Sequence, residues 1–265
     1  MYIHNLNPIL IKLGFFEIRW YSLAYIFGIL IGWWVAKKII KFKIENKIIS
    51  FDSNLFDDLI SYIILSMILG GRIGYIIFYN GSYYFNNPIN IFKIWEGGMS
   101  FHGALVGVII GTYLFSKKIK ISTFFFLDII ASVAPIGIFF GRIANFINSE
   151  LYGKPSNFFW SVTFPKIDML ARHPSQLYEA LLEGLVLFLI LITVILKKSI
   201  RIGLCSSLFM ILYGVFRILA EQFREPDTQI GYLFDLFSMG SFLSFTMILT
   251  GLFIFIKIKN NETYK

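Results

Sequence analysis

The sequence predicts an all-α integral membrane protein with seven transmembrane helices, its N-terminus outside, its C-terminus inside, and a small cap on the outer face. Three observations predict this. Of 265 residues, 57% are hydrophobic and only 15% charged, with a mean hydropathy of +0.70. A globular chain is roughly half apolar and about a quarter charged, so this surface needs a lipid bilayer to bury it. The apolar residues fall into runs long enough to cross a membrane. The basic residues gather at alternate ends of those runs.

Spanning the hydrocarbon core takes about 20 mainly apolar residues. Seven stretches meet that length, at about 18–36, 57–79, 98–116, 124–146, 175–196, 203–221 and 231–257. Trp20 and Tyr21 sit at one end of the first and Trp33 and Trp34 at the other, as expected of interfacial aromatics. Lys37, Lys38, Lys41, Lys43 and Lys47 follow this first run instead of preceding it. That order, with no small-residue cleavage site, argues against a cleaved signal peptide and puts the cluster in the cytoplasm. Lys117, Lys118, Lys120, Lys197, Lys198, Arg201, Lys257, Lys259 and Lys265 then fall on the same side. The two groups hold more than half of the 24 Lys+Arg, so topology accounts for the net charge of +8 and no nucleic acid is needed. The chain reads as a single polytopic domain over 1–265, with no internal repeat. Residues 80–97 are turn-rich and form an outer arm or loop, and residues 150–172 are long enough for a small cap.

A charged side chain in the bilayer is costly and needs a reason. Arg72 lies in the outer half of the second span, His102 at the outer start of the third, and Arg142, Asn145 and Glu150 at the outer end of the fourth. Glu179 and Glu183 lie in the outer half of the fifth, and Arg217, Glu221 and Arg224 toward the outer end of the sixth. The bland explanation is ion pairs between helices, and Arg217 and Glu221 share a face at i,i+4. For Glu183 and for Asp128, at the inner end of the fourth span, that explanation is preferred. For the whole set it is weaker, because several arginines at one level suit an anionic phosphate headgroup, whose oxygens match guanidinium forks. Gly28-x3-Gly32, Gly70-x3-Gly74, Gly103-x3-Gly107-x3-Gly111 and Gly137-x3-Gly141 read as close helix packing. Cys205, the single cysteine, permits no internal disulfide and reads as a packing residue. No cluster has metal-ligand spacing, and no cofactor is expected.

The run Gly141-Arg142-Ile143-Ala144-Asn145-Phe146-Ile147-Asn148-Ser149-Glu150-Leu151-Tyr152-Gly153 resembles the signature of bacterial prolipoprotein diacylglyceryl transferases. Trp20-Tyr21, Gly70 through Tyr75, Gly97 through Gly103, Arg172 through Glu179 and Arg217 through Asp227 resemble further blocks of that family in the same order. Ser22 and Ala104 stand where the family has glycine, and Ser241 where it has glutamine. The resemblance implies a seven-helix enzyme of the bacterial inner (plasma) membrane with its active site toward the outer leaflet and a periplasmic cap over 150–172. It implies transfer of the diacylglyceryl group of phosphatidylglycerol to the lipobox cysteine thiol of a prolipoprotein, with phosphatidylglycerol, lipobox peptides and the lipid bilayer as partners. The implied functional residues are Tyr21, His102, Arg142, Asn145, Glu150, Gly153, Arg217 and Glu221. Arg142 and Arg217 suit a departing phosphate, His102 suits thiol activation, and Glu150 or Glu221 suits either orienting an arginine or acting as a base. On the residues alone, Arg72 also belongs with the phosphate-binding set. A secondary transporter for an anion is the alternative from another class; it predicts repeats and midplane sites, which the sequence lacks. A lipid-binding scaffold is a third, and a lipid-transfer assay separates all three.

Overall fold

The computed structural model describes residues 2–14, 16–49, 52, 54–94, 97–225, 232–233 and 237–258. The side chains of Phe78, Phe101, His102 and residues 232–233 and 237–239 lie outside that description. The chain is mainly helical. Strands β1 (Tyr2–Ile3), β2 (Ile9–Leu13) and β3 (Phe16–Arg19) precede helices α1 (Trp20–Glu45), α2 (Leu55–Tyr79), α3 (Gly81–Asn86), α4 (Phe101–Ile119) and α5 (Thr123–Asn148). Strands β4 (Val162–Thr163) and β5 (Ala171–Arg172) follow, then α6 (Ser175–Glu179), a π-helical segment Ala180–Val186, α7 (Leu187–Ile195) and α8 (Leu204–Glu221). Strands β6 (Tyr232–Leu233) and β7 (Phe237–Ser238) lead into α9 (Met239–Lys257). Among the described residues, six helices are long and apolar enough to cross a membrane: Trp20–Glu45, Leu55–Ile77, Thr123–Asn148, Ser175–Ile195, Leu204–Glu221 and Gly240–Lys257. The stretch expected as the third span forms α4, which begins at Phe101 and not at 98, and is not one of the six.

Three further features differ from the sequence expectation. The first helix does not stop near residue 36. Ala36, Ile39, Ile40 and Lys43 continue its buried face at helical spacing, so four of the five clustered lysines lie on the helix and not in a loop. Lys37 and Lys38 fold back over the rings of Trp33 and Trp34, at 4.8 and 3.6 Å. The last span begins at Met239 and not at 231, because the β6–β7 pair occupies the chain before it. Residues 226–231 and 259–265, including Pro226, Asp227, Lys259 and Lys265, lie outside the described residues. The third difference is short β structure that an all-α expectation omits. β2 and β3 pair antiparallel ahead of α1, and β1, β4 and β5 form a small sheet in the order β1-β4-β5.

The chain divides into two compact units. The first comprises Met1–Ile49 and Asp128–Lys265, and the second Ser50–Leu127. In the second, α2 and α4 pack through their glycines. A Cβ at Gly70 would lie 2.8 Å from Gly107 Cα, and one at Gly74 2.7 Å from Gly103 Cα. No methyl group fits there, so the small-residue spacing serves backbone approach as expected. In the first unit, Gly28 meets Gly137 in the same way, at 2.9 Å from a Cβ to Cα, bringing α1 against α5. Gly141 behaves otherwise: among the described residues nothing lies within 4 Å of the position its Cβ would take, so it leaves open space and not a helix contact. Gly214 and Gly251 bring α8 and α9 together. Cys205 is fully buried in α8, as read. Asp128 is fully buried as well, accepting from the Gly203 and Ser206 amides and the Ser206 hydroxyl.

Candidate functional site

In the first unit, buried charges from α5, α6, the π-helical segment and α8 meet in one cluster. Glu179, at the end of α6, is fully buried and is shared by three arginines. Its carboxylate lies 2.9 Å from Arg142 Nε, 3.0 Å from Arg217 Nη1 and 3.4 Å from Arg224 Nη1. Glu183, one turn later in the π-helical segment and equally buried, accepts from Arg142 Nη2 at 3.1 Å and lies 3.5 Å from Arg217 Nη1. Arg217 Nη2 meets Glu221 at 2.9 Å, closing the i,i+4 pair foreseen on α8. The ion-pair explanation preferred for Glu183 therefore holds. It also reaches further than expected, because three guanidiniums face three carboxylates and the arginine excess inferred from the sequence is balanced within this cluster. Not all of the hydrogen-bonding capacity is used. Arg217 Nη1, Glu179 Oε2, Glu183 Oε1 and Glu221 Oε2 are buried in ionic contact without an aligned hydrogen bond. Arg142 commits Nε and Nη2, and its Nη1 meets no partner among the described residues.

A second layer follows directly in the chain. Asn145 is three residues after Arg142 on α5, and its amide donates to Glu150 at 3.1 Å; Asn148 donates to the other Glu150 oxygen at 3.2 Å. Glu150 N returns to Asn145 O at 2.9 Å, and Gln176 Nε2 on α6 donates to Glu150 O at 2.6 Å. Gly153 lies in the segment between α5 and β4, where its N–H meets His173 O at 3.1 Å. A Cβ there would lie 2.7 Å from both His173 Cβ and Phe223 O, so glycine is needed for the backbone to approach this closely. Arg172 ties this segment to the residues around it. It donates to Gly153 O at 3.0 Å and to Glu225 at 3.3 Å, makes a fork with Asp168, and stacks 4.8 Å from the Tyr152 ring. The Arg172 guanidinium holds the Asp168 carboxyl below its ordinary range. Burial holds the His4 and His173 imidazoles below theirs.

The other sequence-predicted residues are placed differently. Tyr21 opens α1 and its hydroxyl accepts from Tyr25 at 3.4 Å. Arg72 belongs to the second unit and directs its N–H groups at backbone carbonyls of Asn90, Ile91, Lys93, Gly97 and Gly98, at 2.5–3.2 Å. It also lies 5.0 Å over the Tyr84 ring. His102 is in the first turn of α4, in the second unit; its side chain lies outside the described residues. Among the described residues, no group of three or more His, Cys, Asp or Glu side chains is arranged to hold a metal ion.

The order of these blocks along one chain is matched in known proteins. The family model for prolipoprotein diacylglyceryl transferase matches residues 8–257. The chain belongs to the prolipoprotein diacylglyceryl transferase family. It is 51% identical over 255 residues to the phosphatidylglycerol–prolipoprotein diacylglyceryl transferase of Rickettsia bellii, covering 96% of this chain and 95% of that one. It is 49% identical over 263 residues to the enzyme of the same name from Rickettsia typhi, covering 98% and 100%. With the Rickettsia felis enzyme it shares 50% over 253 residues, covering 94% and 96%. With six apolar helices and this family membership, the protein is a multi-pass membrane protein.

Sequence reasoning noted Glu179 as one of several polar groups within spans and gave it no role in the site. Its signal was available, since a carboxylate within an apolar run of 21 residues must find cations. Arg172 and Gln176 were visible only as parts of a family block. Their importance lies in contacts with Gly153 and Glu150, 19 and 26 residues away, which no local pattern encodes.

Proposed function

We propose that this protein transfers the diacylglyceryl group of phosphatidylglycerol to the lipobox cysteine thiol of a prolipoprotein. The peptide sulfur attacks the glycerol carbon that bears the phosphate. The carbon–sulfur bond forms, the carbon–oxygen bond to phosphate breaks, and its electron pair leaves with glycerol phosphate. The thiol proton, held with a pKa of about 8.5 in a free thiol, must pass to a base. The leaving phosphate must meet fixed cationic donors.

One observation carries this reading for the chain's own residues. Arg142 and Arg217, from two different helices, are held side by side by shared buried carboxylates, and among the described residues Arg142 keeps Nη1 uncommitted. Guanidiniums oriented in advance suit charge that develops on a phosphate. Open space at Gly141, the neighbour of Arg142 on α5, fits a ligand approaching there. In this reading Glu221 orients Arg217, since it is already paired with it. Glu150, held by two asparagine amides, lines the site beside Arg142, and His102 takes the thiol proton. Tyr21 contributes to substrate binding. Arg72 holds the 88–98 arm and not a phosphate, because its N–H groups already point at five carbonyls. Gly153 serves by letting the cap close. We further propose that α4 is the seventh span, that the site faces the outer leaflet of the bacterial inner membrane, and that residues 150–172 form a periplasmic cap.

The test is lipid transfer from phosphatidylglycerol to a lipobox peptide by the purified protein, wild type against Arg142→Lys. Lysine keeps the charge but loses the fork. Turnover is expected to fall about a hundred- to a thousandfold, the ~2.7–4 kcal/mol typical of one lost oxyanion contact, with lipid affinity changed much less. Near-wild-type turnover would make Arg142 a helix-pairing cation and move the phosphate role to Arg217.

A further inference from the structure

Glu150 sits between two residues in the left-handed region, Ser149 at φ 61° and Leu151 at φ 53°. Non-glycine residues adopt this conformation sparingly, and it persists only where surrounding contacts enforce it. After Glu150 the enforcement comes from α6: Gln176 Nε2 donates to Glu150 O at 2.6 Å and Ser175 Oγ to Leu151 O at 2.9 Å. Before Glu150 the end of α5 closes with Ser149 N on Phe146 O at 3.0 Å and Glu150 N on Asn145 O at 2.9 Å, and the start of the chain adds a side-chain contact to that turn. Strand β1 runs parallel to β4, and His4 N continues the pairing to Thr163 O at 2.9 Å. This brings the His4 ring, 2% exposed, between Phe146 at 5.1 Å and Phe164 at 5.2 Å. Its Nδ1 lies 3.1 Å from Ser149 Oγ, in a hydrogen bond whose donor follows the ring's tautomer. Among the described residues, this is the one side-chain hydrogen bond of the Ser149 hydroxyl.

We infer that His4 is a positioning residue for Glu150, acting through Ser149 to set the turn that presents the Glu150 carboxylate to Asn145. Nothing in the sequence marks His4 for this, 145 residues away from its partner. Burial holds the His4 imidazole below its ordinary range and favours the neutral ring, and the packing of Phe146 and Phe164 around it limits its poses. This inference rests on the reading that Glu150 lines the transfer site. Turns of this kind act on turnover, because a small displacement of an oriented group is felt in the chemical step more than in binding.

The experiment uses the full-length protein in mixed detergent–phosphatidylglycerol micelles with a lipobox peptide. The variants are His4→Phe, His4→Asn, Ser149→Ala, the His4→Phe/Ser149→Ala pair and Glu150→Gln. His4→Phe keeps an aromatic ring and removes the hydrogen bond, so kcat should fall about three- to tenfold while KM for lipid changes less than about twofold. Ser149→Ala leaves the His4 ring packed and should show the same fall, and the double variant no further loss, as for two ends of one contact. His4→Asn, with an oxygen near the position of Nδ1, should recover to within about twofold of wild type. Wild-type turnover per folded molecule in both His4→Phe and Ser149→Ala, with at most a lowered melting temperature, would overturn the inference while an inactive Glu150→Gln leaves the site reading standing. Losses that simply multiply in the double variant would overturn it too. Full activity of Glu150→Gln would instead bring down the site reading, and the role given to His4 with it.

Discussion

Glu179 shows how a buried charge is made tolerable and useful at once. One carboxylate in an apolar helix would be costly, and three guanidiniums around it repay the desolvation only as a set. Removing one partner of a buried ion pair typically costs about 3–5 kcal/mol, because the other charge is left uncompensated. Glu179→Gln should therefore be the most damaging of the three carboxylate-to-amide changes in the cluster. It releases Arg142, Arg217 and Arg224 together, whereas Glu183→Gln disturbs two arginines and Glu221→Gln one. The measurement is melting temperature and lipid transfer of the three variants side by side. Equal losses, or a larger loss at Glu221, would mean that the shared carboxylate does not organise the arginines.

At the scale of elements, the structure places caps and irregular turns where they bring helices to a common point. Asp128 on α5 caps α8 from outside it, taking the Gly203 amide at 2.7 Å and the Ser206 amide and hydroxyl at 2.8 and 2.7 Å. Gly203, at φ 94°, can turn its N–H toward that carboxylate, a conformation that side chains resist. An amide in place of the carboxylate must face one of these three donors with an NH2 group. Asp128→Asn should thus lower stability by about 1–3 kcal/mol, read as a fall in melting temperature, while the folded fraction transfers lipid at the wild-type rate. Loss of turnover in the folded fraction would give Asp128 a part in the chemistry. The π-helical segment Ala180–Val186 works similarly: it carries Glu183 to the arginines and sets Gly184 against Phe139, with a Cβ there only 2.8 Å from Phe139 Cα.

For the whole molecule, α4 decides on which side each loop lies. If α4 crosses the membrane along with α5, the segments near Asn86 and near Asn157 share a side. If α4 does not cross, α5 alone separates them and they lie on opposite sides. Single cysteines at these two exposed positions, in a Cys205→Ser background, are expected to react with an impermeant reagent from the outer side only. Labelling of one from each side would remove α4 from the set of spans, and labelling of both from the cytoplasm would invert the topology.

What the sequence alone determined is what depends on composition and period. Apolar runs of membrane length, lysines at alternate ends and glycines at four-residue spacing follow from lipid solvation and helix geometry, and α2, α5, α8 and the α2–α4 glycine contact are where those rules put them. Arg142, Arg217 and Glu221 were legible because charges in such runs are rare. The rest needed the tertiary structure, because it lies in contacts between distant parts of the chain. Helix α1 runs on to Glu45 because its later face is buried, which hydropathy does not report. Glu179 is shared by arginines from α5, α8 and the residues after α8, and His4 reaches Ser149 across a parallel strand pair. Local pattern records what each residue prefers as a solvent; only the fold decides which buried charge meets which.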